Sequence, residues 1–232
     1  MPRSPVRRRI VWRRTYRLIP ARYPPIALFE RLADPDDWET LLAVEGLTNE
    51  RIRDEVGDVR LVPLEDRVTG PGASWVMAAF THLGRSSRFS DGSYGVYYTA
   101  RSRDCAVAET VYHMGRFLAA TAEPACDLDM RVLVAGIDAE LHDIRRSRLP
   151  DVYDPDDYRA SQAFGRGLRE RGSGGIVYRS VRHADGECVA AFRARVVRPL
   201  PRGDSQLLYH WDGTRIDRYY DYAADRWCVN AA

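Results

Sequence analysis

The chain has 232 residues, 35 basic against 33 acidic side chains, a net charge of +2 and 45% hydrophobic residues. All 35 basic residues are arginine, which excludes Schiff-base chemistry and a P-loop, since both need a lysine amine. Even the longest uncharged apolar stretches are short, such as Val132 to Ile137, so no membrane-spanning helix is predicted, and the composition is that of a soluble folded chain long enough to bury a core.

Residues 1–14 hold six arginines (Arg3, Arg7, Arg8, Arg9, Arg13, Arg14) and no acid, while 29 arginines face 33 acids elsewhere, a net −4. A terminal segment of this kind predicts a flexible basic leader. The alternative is a non-catalytic interaction module whose arm binds nucleic acid or an acidic partner, but no aromatic interleaving or finger motif supports nucleic-acid binding. No apolar run follows the arginines, so a cytoplasmic location is expected rather than secretion. Val11 to Ile19 reads as an early strand. Asp34-Pro35-Asp36-Asp37-Trp38 and Asp154-Pro155-Asp156-Asp157-Tyr158 each read as an Asp cap, a Pro at N1 and acids in a first helical turn. Neither has the acid and glycine spacing of a calcium loop.

Helices are predicted over 35–45, 50–56 and 72–82, with Gly46 and Gly57 as stops. A polar turn follows at Ser90 to Ser93, then a strand at Gly95 to Ala100 and a helix from Ser102 to about Ala119. Met130 to Ile137 reads as a strand and 155–171 as an amphipathic helix ended by Gly172. Strands at Gly175 to Val181 and Glu187 to Val197 flank an Asp185-Gly186 turn. Leu207 to Trp211 and Thr214 to Tyr220 flank Asp212-Gly213. Strands and helices without regular βαβ alternation predict a single α+β domain, with no solenoid repeat or low-complexity linker. Cys105, Cys126, Cys188 and Cys228 form no Cys-x-x-Cys pair, which predicts reduced thiols rather than zinc or a disulfide framework.

Chemistry concentrates in Gly84 to His113, GRSSRFSDGSYGVYYTARSRDCAVAETVYH. Arg88 sits in a Ser/Gly-rich turn, Tyr98 on a strand ten residues later, and Glu109 in a helix eleven residues beyond. A turn, strand and helix of that size can line one cleft. Glu109 lies among Ala106, Val107, Ala108 and Val111, so its carboxylate needs a partner or a function. The two readings are a structural Glu–Arg pair and a catalytic group. His113 lies four residues on. A Glu–His metal pair lacks an evident third ligand, so no metal is expected. Ser180, in VYRSVRH, has no Gly-x-Ser-x-Gly elbow.

Arg88 in SSRFS, Tyr98 in GVYYTA, Glu109 in CAVAETVYH and Ser180 in VYRSVRH together resemble the RES-domain family, named for Arg, Glu and Ser positions. GGIVYRSVRHADGECVAAF is similar to a longer branch of that family, and with YRLIPARYPP the resemblance extends over residues 14–222. It implies an ADP-ribosyltransferase-like split β core with surrounding helices, whose cleft takes NAD as a substrate and needs no permanent cofactor. Characterised relatives are bacterial toxins that hydrolyse or phosphorolyse NAD, or transfer ADP-ribose to a protein. Their partner is an antitoxin, often with an Xre-like helix-turn-helix, that covers the site. The implied catalytic residues are Glu109, Arg88, Tyr98 and Ser180, with Arg88, Arg17, Tyr98 and His113 contacting NAD. On this reading residues 1–14 are the leader and 15–232 one domain, with a helical addition at about 26–83. Compact members reach the motif arginine sooner; here 87 residues precede Arg88. The added segment could cover part of the cleft, join two copies in a homo-oligomer, or replace antitoxin contacts.

Overall fold

The structure, a computed structural model, describes residues 5–22, 38–40 and 57–230. In chain order the elements are β1 (Arg7–Pro20), α1 (Ala73–Thr81), β2 (Tyr97–Ala100), α2 (Arg103–Ala120), β3 (Cys126–Asp143), α3 (Arg159–Glu170), β4 (Gly175–Arg179), β5 (Glu187–Ala191), β6 (Arg202–Trp211), β7 (Ile216–Asp221) and β8 (Arg226–Val229), with short 3-10 turns between. The strands form one mixed sheet ordered β1-β2-β5-β4-β3-β6-β7-β8, and β1 pairs with β3 as well. One edge of β3 is shared: β6 takes residues 126–134 and β4 takes His142 and Asp143. The sheet splits there, and β1, β2, β5, β4 and β3 close on themselves. The fold is α+β, as expected.

Both faces of the central strands are covered, which is why β4 is an unbroken apolar run. Ile176 and Tyr178 enter one core with Val107, Val111 and Leu118 of α2 and Leu168 of α3. Val177 enters the other with Val76, Met77 and Phe80 of α1. In β1, Trp12 and Leu18 have the same parity yet enter opposite cores. A bulge between Trp12 and Thr15 spends one extra residue against β3 and exchanges the faces.

The basic leader is largely a strand, which corrects the expectation of a flexible arm. Residues 7–12 pair with 137–142 of β3. Ile10 and Trp12 point inward while Arg7, Arg9, Val11 and Arg13 face solvent. The arginine density hid a period-two pattern, and hydrophobic burial of Ile10 and Trp12 anchors the segment. Helix 72–82 is present as α1. The expected helices at 35–45 and 50–56 and the Asp34 motif fall outside the described residues, except for Trp38–Thr40, which are helical. The second Asp-Pro motif caps no helix. The Asp154 carboxylate accepts from the amides of Asp156 and Asp157, closing a turn, and α3 starts only at Arg159. The Asp185-Gly186 turn is the end of a longer connection, 180–186, closed by the Ser180 amide donating to the Gly186 carbonyl. The strand expected to reach Val197 ends at Ala191 and gives way to a 3-10 turn. β8 was not anticipated.

Ser102 caps α2, its hydroxyl accepting from the Cys105 amide. Arg103 ties that helix start to β7 by a two-point pair with the buried Asp221 carboxylate, at 2.5 and 2.9 Å. This pair holds the Asp221 carboxyl below its ordinary value. A depressed carboxylate stabilises the fold above its unfolded pKa, near 3.9, and loses that contribution as pH falls through the folded value. Asp221→Asn should therefore cost about 1.5–3 kcal/mol at pH 7. Urea denaturation should show the difference shrinking below about pH 4.

Candidate active site

The end of β1, α1, the 83–96 loop, β2 and α2 enclose a cleft of about 1060 Å³. That is at the upper end of small-molecule sites, roughly 300–1,000 Å³, and gives room for a dinucleotide. The α2 wall is built by helical spacing. Ala106, Glu109, Thr110, His113 and Phe117 face the cleft, while Val107, Val111 and Leu118 face the core.

Glu109 keeps 18% of its side chain exposed. The Ser180 hydroxyl donates to Glu109 Oε1 at 2.6 Å, and His113 Nε2 lies 3.8 Å from Oε2. Among the described residues no guanidinium pairs with Glu109, so the structural Glu–Arg reading does not hold. Ser180 stands behind Glu109 rather than on the cleft wall. Its oxygen also accepts from the amides of Arg182 and His183, at 3.0 Å each, so the hydroxyl proton is left for the carboxylate. The loop that makes this possible needs Gly186, where a Cβ would meet Cys105 Sγ at 2.6 Å and Ser180 Cβ at 3.0 Å.

Arg88 is 5% exposed. It donates to the carbonyls of Val152 at 3.3 Å and Asp154 at 2.9 Å, and its guanidinium lies 4.6 Å from the Tyr158 ring centre. The Tyr98 ring lines the cleft, but its hydroxyl is committed to the loop that carries Arg88. It accepts from the Phe89 amide at 3.0 Å and shares a 2.9 Å bond with Ser87 Oγ. Burial pushes this phenol well above its ordinary value, so it stays neutral. Arg17 lines the same cleft, donating to the Tyr98 carbonyl and stacking 4.6 Å from the Tyr97 ring centre.

Sequence reasoning missed Arg182, Tyr112 and Tyr158. The Arg182 guanidinium sits 3.3 Å from the Tyr112 ring centre and donates to the Pro155 carbonyl. The Tyr112 hydroxyl donates to Asp156 at 2.9 Å. The SVR run placed Arg182 beside Ser180, but only long-range packing reveals its partners. About half of the His113 side chain (48%) is open. Even so, crowding of its ring, and then the positive fields of Arg182, Arg88 and Arg116, push its pKa down to about 4. It is neutral at pH 7, and His113–Glu109 is no ion pair there. An NMR titration should place the His113 midpoint near 4, and Arg182→Gln should raise it. Between that value and about 6.5 the unfolded chain binds the extra proton, so this group adds stability as pH rises.

Among the described residues, no group of three or more His, Cys, Asp or Glu could hold a metal ion, and no helix is long and apolar enough to cross a membrane. Residues 64–212 match the family model described as the RES domain. The chain is 31% identical over 209 residues to the uncharacterized protein y4oC of Sinorhizobium fredii, covering 89% of this chain and 86% of that protein. It is also similar to a chain in the crystal structure of the M. tuberculosis MbcT-MbcA toxin-antitoxin complex, with 13% identity, a TM-score of 0.44, and coverage of 88% and 87% of the two chains. The motif residues Arg88 and Glu109 and the hydroxyl of Ser180 thus fall inside a matched segment that spans most of the chain, and the protein belongs to the RES-domain family.

Proposed function

We propose that the protein consumes NAD by cleaving the bond between nicotinamide and ribose. The observation that carries this is a carboxylate without a cationic partner among the described residues, Glu109, held by Ser180 on the wall of a dinucleotide-sized cleft. When that bond breaks, its electron pair leaves with nicotinamide and an oxocarbenium-like centre remains on the ribose carbon. A carboxylate beside that carbon stabilises the developing positive charge. Glu109 supplies it, and Ser180 fixes its orientation as a positioning residue. Arg17 and Arg88 bring positive charge to the same cleft, which favours an anionic pyrophosphate. Tyr98 offers a ring face for the nicotinamide and, through its hydroxyl, sets the Arg88 turn. Neutral His113 offers a hydrogen bond without competing for that charge. NAD is the substrate, and no resident cofactor enters the scheme.

Water or inorganic phosphate would then attack the ribose carbon, giving hydrolysis or phosphorolysis; a protein nucleophile would give ADP-ribosyl transfer. In the cell the chain would act as the toxin of a toxin–antitoxin pair, restrained by an antitoxin with an Xre-like helix-turn-helix that covers the cleft. The backbone of residues 7–14 lies in β1 rather than in a free arm, and the proposed reaction calls for no nucleic-acid partner. Incubation with NAD, with and without phosphate, tests the proposal by measuring nicotinamide. Release is expected, and phosphate dependence separates phosphorolysis from hydrolysis. No release under any condition, and no ADP-ribosylated protein in a lysate, would sink it.

A further inference from the structure

Cys105 and Cys188 face each other with their sulfurs 3.6 Å apart, and they are 0% and 3% exposed. Cys105 is in the first turn of α2; Cys188 is in β5, between Ala100 of β2 and Tyr178 of β4. Neither thiol has a part in the proposed bond cleavage. Two features connect them to it. Cys188 lies on the wall of the cleft, so a small molecule entering there meets that thiol, with Cys105 directly behind it. Cys105, Glu109 and His113 follow at four-residue intervals on one face of α2. Gly186 also leaves no slack between Cys105 Sγ and Ser180 Cβ.

We propose that Cys105 and Cys188 are a redox-responsive dithiol that a hydroperoxide entering the cleft closes to a disulfide, and that closure shifts Glu109 relative to Ser180. In the first step a thiolate sulfur attacks a peroxide oxygen. The O–O bond breaks, hydroxide leaves and a sulfenic acid forms. The second thiol then attacks that sulfur. The S–S bond forms, the S–O bond breaks, and the oxygen leaves as water once it has taken a proton. Two thiols lose two electrons in total and hydrogen peroxide becomes two waters. A disulfide needs the sulfurs at about 2.05 Å. β5 is pinned between β2 and β4, so the approach falls on the first turn of α2. Glu109 follows that turn along the same helix face.

The test uses the full chain with Cys126 and Cys228 replaced by serine, treated with hydrogen peroxide and then with a thiol reductant. Intact mass should fall by two hydrogens, a Cys105–Cys188 cross-linked peptide should appear, and the reductant should reverse both. Cys105→Ala and Cys188→Ala, checked for folding by thermal melting, should each abolish the cross-link. Stepwise oxygen addition to one cysteine, or two thiols still open to alkylation, would overturn the dithiol. The effect on Glu109 rests on the proposed NAD cleavage. Nicotinamide release should fall about 10²-fold on oxidation, the scale of a catalytic group displaced by about 1 Å, and recover on reduction. A cross-linked protein with unchanged release would overturn the coupling. A reduced protein that releases none would instead count against the proposed function, and the mass readout would still decide the dithiol.

Discussion

Glu109→Gln should lower nicotinamide release from NAD by about 10²–10⁴-fold, the range typical of losing a carboxyl group that acts in the transition state. Glutamine keeps the shape of the side chain and an oxygen that can accept from Ser180, so the substitution removes charge and little else. Stability should move the other way. In the wild-type chain the carboxylate is mostly buried, and its partners among the described residues are one hydroxyl and a neutral imidazole. Holding a charge with so little compensation costs stability, and neutralising it recovers part of that cost. A thermal melt at or above the wild-type temperature, together with collapsed turnover, is the expected pair of results. Ser180→Ala should be milder, roughly 10–10²-fold, because one charge-assisted hydrogen bond of about 1.5–3 kcal/mol is removed while the charge stays. A Glu109→Gln protein that turns over NAD at the wild-type rate would remove the carboxylate from the mechanism.

The parts of this site that could be read in the sequence are those that depend on local spacing. The helix start near Ser102 and the apolar stripe of α2 fix which face Glu109 occupies, and the structure reproduces both. In a chain with 35 arginines any one of them is a poor signal, and Arg88 stands out only by its spacing to Tyr98 and Glu109, whereas Ser180 rests on the family resemblance. Partner choice was not legible. Nothing local to Glu109 says that Ser180, 71 residues away, rather than an arginine, will meet it. The same holds for Arg182 on Tyr112, and for the thiol pair brought together across 83 residues. Two strands were obscured for different reasons. In β1 the arginines masked the inward Ile10 and Trp12. In β8, at the sheet edge, Trp227 and Val229 stay exposed, so no burial pattern marks it. Asp154 misled because its side chain can close a turn as readily as it can cap a helix.

Arg88→Ala should reduce both stability and NAD affinity, and the two effects should separate in Arg88→Lys. Arg88 is a buried cation with two backbone acceptors and an aromatic face. Truncation strips the Val152 and Asp154 carbonyls of their donor, at about 1–3 kcal/mol for a buried unsatisfied group, and removes a stacking contact of about 0.5–2 kcal/mol. A total loss of about 2–4 kcal/mol is expected, which for a chain of this size lowers the melting temperature by about 5–15 °C. Lysine restores a charge at the same depth and donors for the two carbonyls that Arg88 Nη1 serves, but an ammonium cannot lie flat on the Tyr158 ring as the planar guanidinium does. Arg88→Lys should therefore stay well below wild type in stability. If Arg88 acts on NAD mainly through its positive field, lysine should recover most of the KM that alanine loses. If its role is to hold the 84–95 turn in register with Tyr98, lysine should leave KM as poor as alanine does. The second outcome would make Arg88 a positioning residue like Ser180 and leave Glu109 and Arg17 as the charged groups that meet the substrate.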